Sequence, residues 1–237
     1  MHRLPWLVFM ALLPCFAFAS GYPVEPLLGV NKFDLLKQYT GTASAGDGSQ
    51  AHRKVTSAMG RKAITDATDV GVSFMRIAAT GFAPSFHGGR SDLELWLSNP
   101  TAYWAMVDQL MNDLDAVEMR AVFTLIWNRE QFPAIAGETV GELLRNPNSR
   151  SYALAARYIR EFIERYRDRR TILFYELTNE LNLGADLDIV TRCQQTRNTK
   201  ECAAEANYTS DEMVAFTGRV AKLVHAIDPG RAISSGL

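Results

Sequence analysis

With 237 residues, 47% of them hydrophobic and 22% charged, the chain has the make-up of an ordinary globular protein with enough apolar material for a sizeable core. Its 25 Lys and Arg nearly balance 26 Asp and Glu, and its four His are scattered. That balance excludes the long-range positive field that gathers nucleic acid or an anionic membrane surface.

The chain opens with Arg3, an apolar stretch from Leu4 to Phe16, and Ala17-Phe18-Ala19. A positive end, a short apolar run and an A-x-A site read as a secretory signal peptide over residues 1–19, leaving 20–237 as the mature domain. The alternative, a membrane anchor, is disfavoured because the run is shorter than the roughly 20 residues that span a bilayer and is interrupted by Pro5 and Pro14. Pro14 also stands where a small residue is expected before a lipidated cysteine, which argues against a lipid anchor on Cys15. Cleavage after Ala19 would leave two Cys and a formal charge of 24 minus 26, or −2. The expected location is secreted or periplasmic, with no membrane contact after cleavage.

Apolar, β-branched runs then alternate with stretches of helical period. The first strand is expected over Leu27–Phe33, followed by a Gly/Ser-rich loop over Thr40–Ser49 and a helix with apolar positions Val55, Met59, Ala63, Ile64 and Ala67. A second strand spans Val72–Ala78, and after a long loop containing His87, Asn99-Pro100 reads as an N-cap with proline at the first helical position. The third strand covers Ala121–Trp127, and its helix starts near Ser149 with the apolar face Leu154, Ala155, Tyr158, Ile159, Phe162 and Ile163. The opposite face, Arg157, Arg160, Glu164, Arg165, Arg167, Arg169 and Arg170, reads as solvated surface. A fourth strand is expected over Ile172–Thr178, a helix over about Thr209–Ala226 capped by Ser210, and a fifth apolar run over Arg231–Ser235.

Such alternation implies parallel strands covered by helices, either a doubly wound sheet or a (β/α)8 TIM barrel. Gly41, Gly46 and Gly48 do not form a G-x-G-x-x-G turn after the first strand, so a dinucleotide site is disfavoured. Polar residues instead collect at the C-terminal strand ends, at Asn31, Arg76, Asn128 and Asn179-Glu180, as in a barrel with chemistry on its top face. Strands near Arg76, Phe123, Tyr175 and Ile233 lie 47, 52 and 58 residues apart. At that spacing eight units need about 400 residues, so the sequence reads as a barrel truncated after strand five. An open half-barrel exposes strand edges, so the expectation is a fragment or a chain completed by partners.

The strand Ile172-Leu173-Phe174-Tyr175-Glu176-Leu177-Thr178-Asn179-Glu180 starts apolar and finishes with an amide and a carboxylate at the rim. It resembles the fourth strand of clan A glycoside hydrolases, especially glycoside hydrolase family 5, and Tyr-Glu-Leu-Thr-Asn-Glu is similar to the Trp-Glu-Leu-x-Asn-Glu of its β-mannanase branch. Gly29-Val30-Asn31 resembles the first strand of that family, Arg76 its second-strand arginine, and Leu125-Ile126-Trp127-Asn128 the third strand of the mannanase branch. The histidine more common in the family is absent there, which weakens a cellulase assignment. Ile227-Asp228-Pro229 followed by a short strand and Gly236 resembles the lead into strand five.

The resemblance implies a retaining hydrolase of a β-linked polysaccharide of mannan or cellulose type, needing no cofactor or metal. It gives Glu180 the general acid/base role, Asn179 a hydrogen bond to the sugar 2-hydroxyl, Arg76 the steadying of a nucleophilic carboxylate, and Trp127 and Asn128 sugar contacts. Retaining hydrolysis requires a second carboxylate about 5 Å away. In the family it sits on strand seven, beyond these residues. Glu176 lies about 13 Å below Glu180 on an ideal strand, too far to pair with it, and reads as an internal polar residue paired inside the barrel. Trp127 reads equally well as core and His87 as a loop surface residue.

Cys193 and Cys202 are expected to form a disulfide in an exported protein; without a nearby His they do not make a metal site. Asn207-Tyr208-Thr209 matches a glycosylation sequon. Two other classes stand beside the hydrolase: a carbohydrate-binding or structural barrel without catalysis, and an esterase. The esterase is disfavoured by the absence of a G-x-S-x-G elbow.

Overall fold

A computed structural model describes residues 27–41, 56–80, 92–196, 202 and 206–237. The expected signal peptide, Gly46 and Gly48 of the first loop, Val55 and His87 lie outside these residues.

Five strands form one sheet in the order β1 (Gly29–Asn31), β2 (Phe74–Ala78), β3 (Arg120–Ile126), β4 (Ile172–Thr178) and β5 (Ile233–Ser234). Every neighbouring pair is parallel. Parallel neighbours in sequential order need a crossover each, and helices supply them. Between β1 and β2 run α1 (Leu35–Thr40) and α2 (Ser57–Asp69); between β2 and β3, α3 (Asp92–Ser98) and α4 (Pro100–Ala116). Between β3 and β4 come α5 (Gln131–Ala136), α6 (Val140–Arg145) and α7 (Arg150–Tyr166). A 3-10 turn (Leu181–Gly184), α8 (Ile189–Thr196) and α9 (Ser210–Ile227) lead into β5. This is the (β/α) barrel architecture expected from the sequence, with five strands of it described.

The long helices begin where side chains replace missing backbone partners. Asn99 accepts a hydrogen bond from the Ala102 N–H ahead of Pro100, and Ser149 accepts one from Tyr152. At α9 the cap is Thr209, not Ser210: Thr209 and Glu212 form a reciprocal capping box. The Ser210 hydroxyl instead donates to Asp186 at 2.6 Å. The short helices α1, α3, α5, α6 and α8 were not foreseen, because six to eight residues show no clear helical period. Only α6 carried a legible signal, Thr139-Val140-Gly141-Glu142, which forms a second capping box.

Strand limits are narrower than expected at the edges. Leu27 and Leu28 are 52% and 54% exposed, β1 covers only Gly29–Asn31, and Phe33-Asp34 turns into α1. β2 starts two residues later than expected, β3 starts at Arg120 and leaves Trp127 beyond its end, and β5 keeps two of five expected residues. The interior strand β4 matches its expected limits.

The main core lies between the sheet and its helices. Met75, Ile77, Ala121, Phe123, Leu125, Tyr175 and Leu177 face Leu110 and Leu114 of α4, Tyr158 and Phe162 of α7, and Phe216 and Val220 of α9. Trp104 packs among Tyr103, Tyr158, Phe162 and Tyr166, ring centroids 4.9 to 6.5 Å away. The arginine-rich side of α7 is surface, as expected, but partly ion-paired: Arg157 with Glu161, Arg165 with Asp108 and Arg169 with Asp115.

Candidate active site

Strand alternation turns Phe74, Arg76, Val122, Thr124, Phe174, Glu176 and Thr178 to the opposite, concave face. Because all strands run the same way, their C-terminal ends share one rim, and Asn31, Trp127-Asn128, Asn179-Glu180 and Ser235-Gly236 collect there.

Arg76 is the hub of this face. Its Nε donates to Glu176 Oε2 at 2.8 Å and its Nη2 to Asn179 Oδ1 at 2.7 Å. Thr124 Oγ1 donates to the same Glu176 oxygen. The side chains of Arg76 and Glu176 retain only 24% and 12% of their exposure, so burial of each charge is offset by the other. Glu176 is thus paired inside the barrel as expected from the sequence, and its partners are Arg76 and Thr124.

Glu180 sits where β4 ends. Its backbone is left-handed, with φ 52° and ψ 35°, a conformation that bulky non-glycine residues adopt rarely and that must be held by its surroundings. The hold comes from the residues just after β5: the Glu180 N–H donates to the Gly236 carbonyl at 2.8 Å, and Thr178 donates through its N–H and Oγ1 to the Ser235 carbonyl at 3.2 and 2.8 Å. Gly236 has φ +76°, and a Cβ there would meet the Thr178 carbonyl oxygen at 1.7 Å. A side chain at 236 would push β5 from the strand that carries Glu180.

The Glu180 carboxylate is solvent-exposed, with the Asn179 Nδ2 amide 3.5 Å from its Oε2. A cleft of about 400 Å³ opens here, lined by Arg76, Glu176, Asn179, Glu180, Asn182, Leu183, Ser234 and Gly236 among others. Asn182 and Leu183 were not foreseen; their signal was position, within a single 3-10 turn of the Asn-Glu pair. A second concavity of about 490 Å³, lined by Arg145, Asp188, Tyr208 and Glu212 among others, is a separate space with a different lining.

The structure brings Arg76, Asn179 and Glu180 together, and Trp127 joins them through Arg76, whose guanidinium lies 4.6 Å from the indole centroid. The Trp127 ring also stacks on Phe33 at 5.2 Å. Asn128 serves its own loop: its Oδ1 accepts from the Glu130 N–H at 2.9 Å in the turn leading to α5. Cys193 and Cys202 are bonded, in the segment after β4. Among the described residues no group of three or more His, Cys, Asp or Glu could hold a metal ion, and no helix is long and apolar enough to cross a membrane.

The fold and the site together define a partial (β/α) barrel with an Asn-Glu pair on the C-terminal rim of its fourth strand. The particular likeness is to glycoside hydrolase family 5: the chain has the fold of part of that barrel. Neither a protein-family model nor a curated protein sequence matches it. Among solved structures it is similar to an endo-1,4-β-D-mannanase from Thermotoga petrophila RKU-1 in a structure with maltose and glycerol, at 14% identity, TM-score 0.54, and 89% of this chain against 55% of that one. An endo-1,4-β-mannanase from Rhizomucor miehei matches at 13% identity and TM-score 0.56, over 89% of this chain and 56% of its own. A glycoside hydrolase family 5 mannosidase from the same organism matches at 13% and 0.54, over 90% and 52%, and one structure of that mannosidase is a complex with mannosyl-fructose. The chain therefore spans about half the length of the solved structures it resembles.

Proposed function

We propose that this chain carries the acid/base half of an exported, retaining glycoside hydrolase acting on a β-linked polysaccharide of mannan or cellulose type. The observation that carries the reading is the joining of Arg76, Asn179 and Glu180 by hydrogen bonds at the rim of one cleft. In this reading Glu180 in its acid form protonates the leaving oxygen, and its carboxylate then takes a proton from the water that releases the sugar. Asn179 contributes an amide to the sugar 2-hydroxyl, while Arg76 supplies positive charge toward a second carboxylate that attacks the anomeric carbon. Trp127 and Asn128 border the sugar on the β3 side. The signal peptide over residues 1–19 directs the protein to a secreted or periplasmic location, and the partner is a polysaccharide or oligosaccharide.

The test is reducing-sugar release from mannan and cellulose by the polypeptide purified from its native source, beside its Glu180→Gln variant. Turnover is expected, and Glu180→Gln is expected to lower it by about 10²-fold or more on substrates with poor leaving groups. Equal rates for both proteins would remove Glu180 from the acid/base role.

One observation favours a second reading, a carbohydrate-binding barrel without turnover: the other carboxylate lining the cleft, Glu176, is engaged by Arg76 and Thr124. That reading predicts glycan binding by the 237-residue chain with no product.

A further inference from the structure

Glu176 belongs to no step of the proposed chemistry, yet on the concave face it is held by two neighbouring strands. One oxygen, Oε2, accepts from both Arg76 Nε and Thr124 Oγ1. The same Arg76 donates through Nη2 to Asn179 Oδ1 at 2.7 Å. An arginine has donors and no acceptor, so it can meet only the oxygen end of that amide. The nitrogen end is thereby turned away from Arg76, and it is Nδ2 that lies beside Glu180 Oε2 at 3.5 Å. The guanidinium is itself a rigid fork, so fixing Nε fixes where Nη2 points.

We infer that Glu176 is a positioning residue: by anchoring Arg76 it sets which face of the Asn179 amide is presented to Glu180 and to a bound sugar hydroxyl. β3 contributes to the anchor as well. Thr124 stands opposite Glu176 in register, and its hydroxyl limits where the carboxylate can sit. From the β5 side Gly236 packs so closely that a Cβ there would approach Glu176 Cγ to 2.8 Å. The Glu176 side chain is therefore confined by β2, by β3 and by the segment after β5, and its contact with Arg76 passes that confinement on to the rim. The inference rests on the assignment of Asn179 and Glu180 as sugar-facing groups.

Two measurements on the full polypeptide as its native source makes it, and on variants of it, test it. The first is the side-chain amide resonance pair of Asn179 in a ¹⁵N–¹H spectrum, assigned by its disappearance in Asn179→Asp. Glu176→Gln, which keeps shape and removes the charge, is expected to shift or broaden this pair, and Thr124→Val is expected to move it less, in the same direction. The second is calorimetric affinity for β-1,4-mannohexaose. Glu176→Gln is expected to weaken binding by about tenfold, the scale of one charge-assisted hydrogen bond. In an Asn179→Ala background the same change is expected to add nothing, because the residue it acts through is gone.

An unmoved Asn179 resonance in both variants overturns the inference, as does an undiminished tenfold loss in the Asn179→Ala background, which would mark a merely structural role. If Glu176→Gln does not fold, the Thr124→Val spectrum decides. If the wild-type chain binds no glycan, the proposed function fails, and the amide resonance still decides whether Glu176 orients Asn179.

Discussion

The two faces of the same sheet are built on opposite terms. On the helix side, Met75, Ile77, Phe123, Leu125 and Tyr175 are buried in continuous apolar contact with the helices. On the concave side, one residue away along each strand, Arg76, Thr124 and Glu176 form a hydrogen-bonded chain that ends at the exposed Glu180. Dispersion and apolar burial are non-directional and tolerate drift, whereas charge-assisted hydrogen bonds weaken steeply with distance and angle. Stability therefore belongs mainly to the helix side, and geometry to the concave side. Changes on one face should read out in melting and changes on the other in binding.

The largest expected effect is on the helix side. Phe162 is fully buried, with the ring centroids of Phe123 and Tyr166 each 5.1 Å away. Phe162→Ala is expected to lower unfolding free energy by about 3–5 kcal/mol in urea titrations, with glycan affinity at low temperature unchanged. A variant that melted normally but bound poorly would break the division between the faces.

Gly236→Ala probes the join between them. With φ +76° and the Thr178 carbonyl in the way, the substitution is expected to cost about 2 kcal/mol and, because Glu180 hangs from the Gly236 carbonyl, to weaken glycan binding as well. A loss confined to stability would show that β5 does not position the rim.

A smaller, pH-limited effect sharpens the picture of the helix layer. Burial alone would raise the Glu138 pKa, but hydrogen bonds from the Ser151 hydroxyl and N–H and from Arg150 hold it down at about 2. The carboxylate caps the start of α7, where helix N–H groups favour negative charge. Since the folded value lies below the usual 4.5, its contribution is complete above about pH 4.5 and is lost as pH falls toward 2. Wild type should lose stability over that range more steeply than Glu138→Gln, as followed by thermal melts at successive pH values.

The parts legible in the sequence are those governed by local rules. Alternating apolar runs and helical periods gave parallel strands with covering helices, Asn99-Pro100 and Ser149 marked helix starts, and the limits of β4 were right because it is an interior strand with a run of apolar residues, Ile172 to Tyr175, at its start. The same rules misjudged β1 and β5, where apolar residues at a sheet edge stay exposed and pairing ends early. They also missed α1, α3, α5, α6 and α8, which are too short to show a period.

Which side chains would share the rim was legible and how they would be wired together was not. Asn179, Glu180, Arg76 and Trp127 could be named from strand ends, because a parallel sheet brings those ends to one rim. Nothing in one dimension showed that Arg76 would join Glu176 and Asn179, 100 and 103 positions away, or that Asn128 would fold back on Glu130. Nor did it show that Gly236 would hold the left-handed backbone of Glu180. The sequence by itself determined the presence of the strands and long helices, their order and the polar strand ends, since periodicity and turn chemistry act over a few residues. Only the tertiary structure decided which donors meet which acceptors, because that depends on register and strand tilt, which bring residues far apart in the chain within 3 Å.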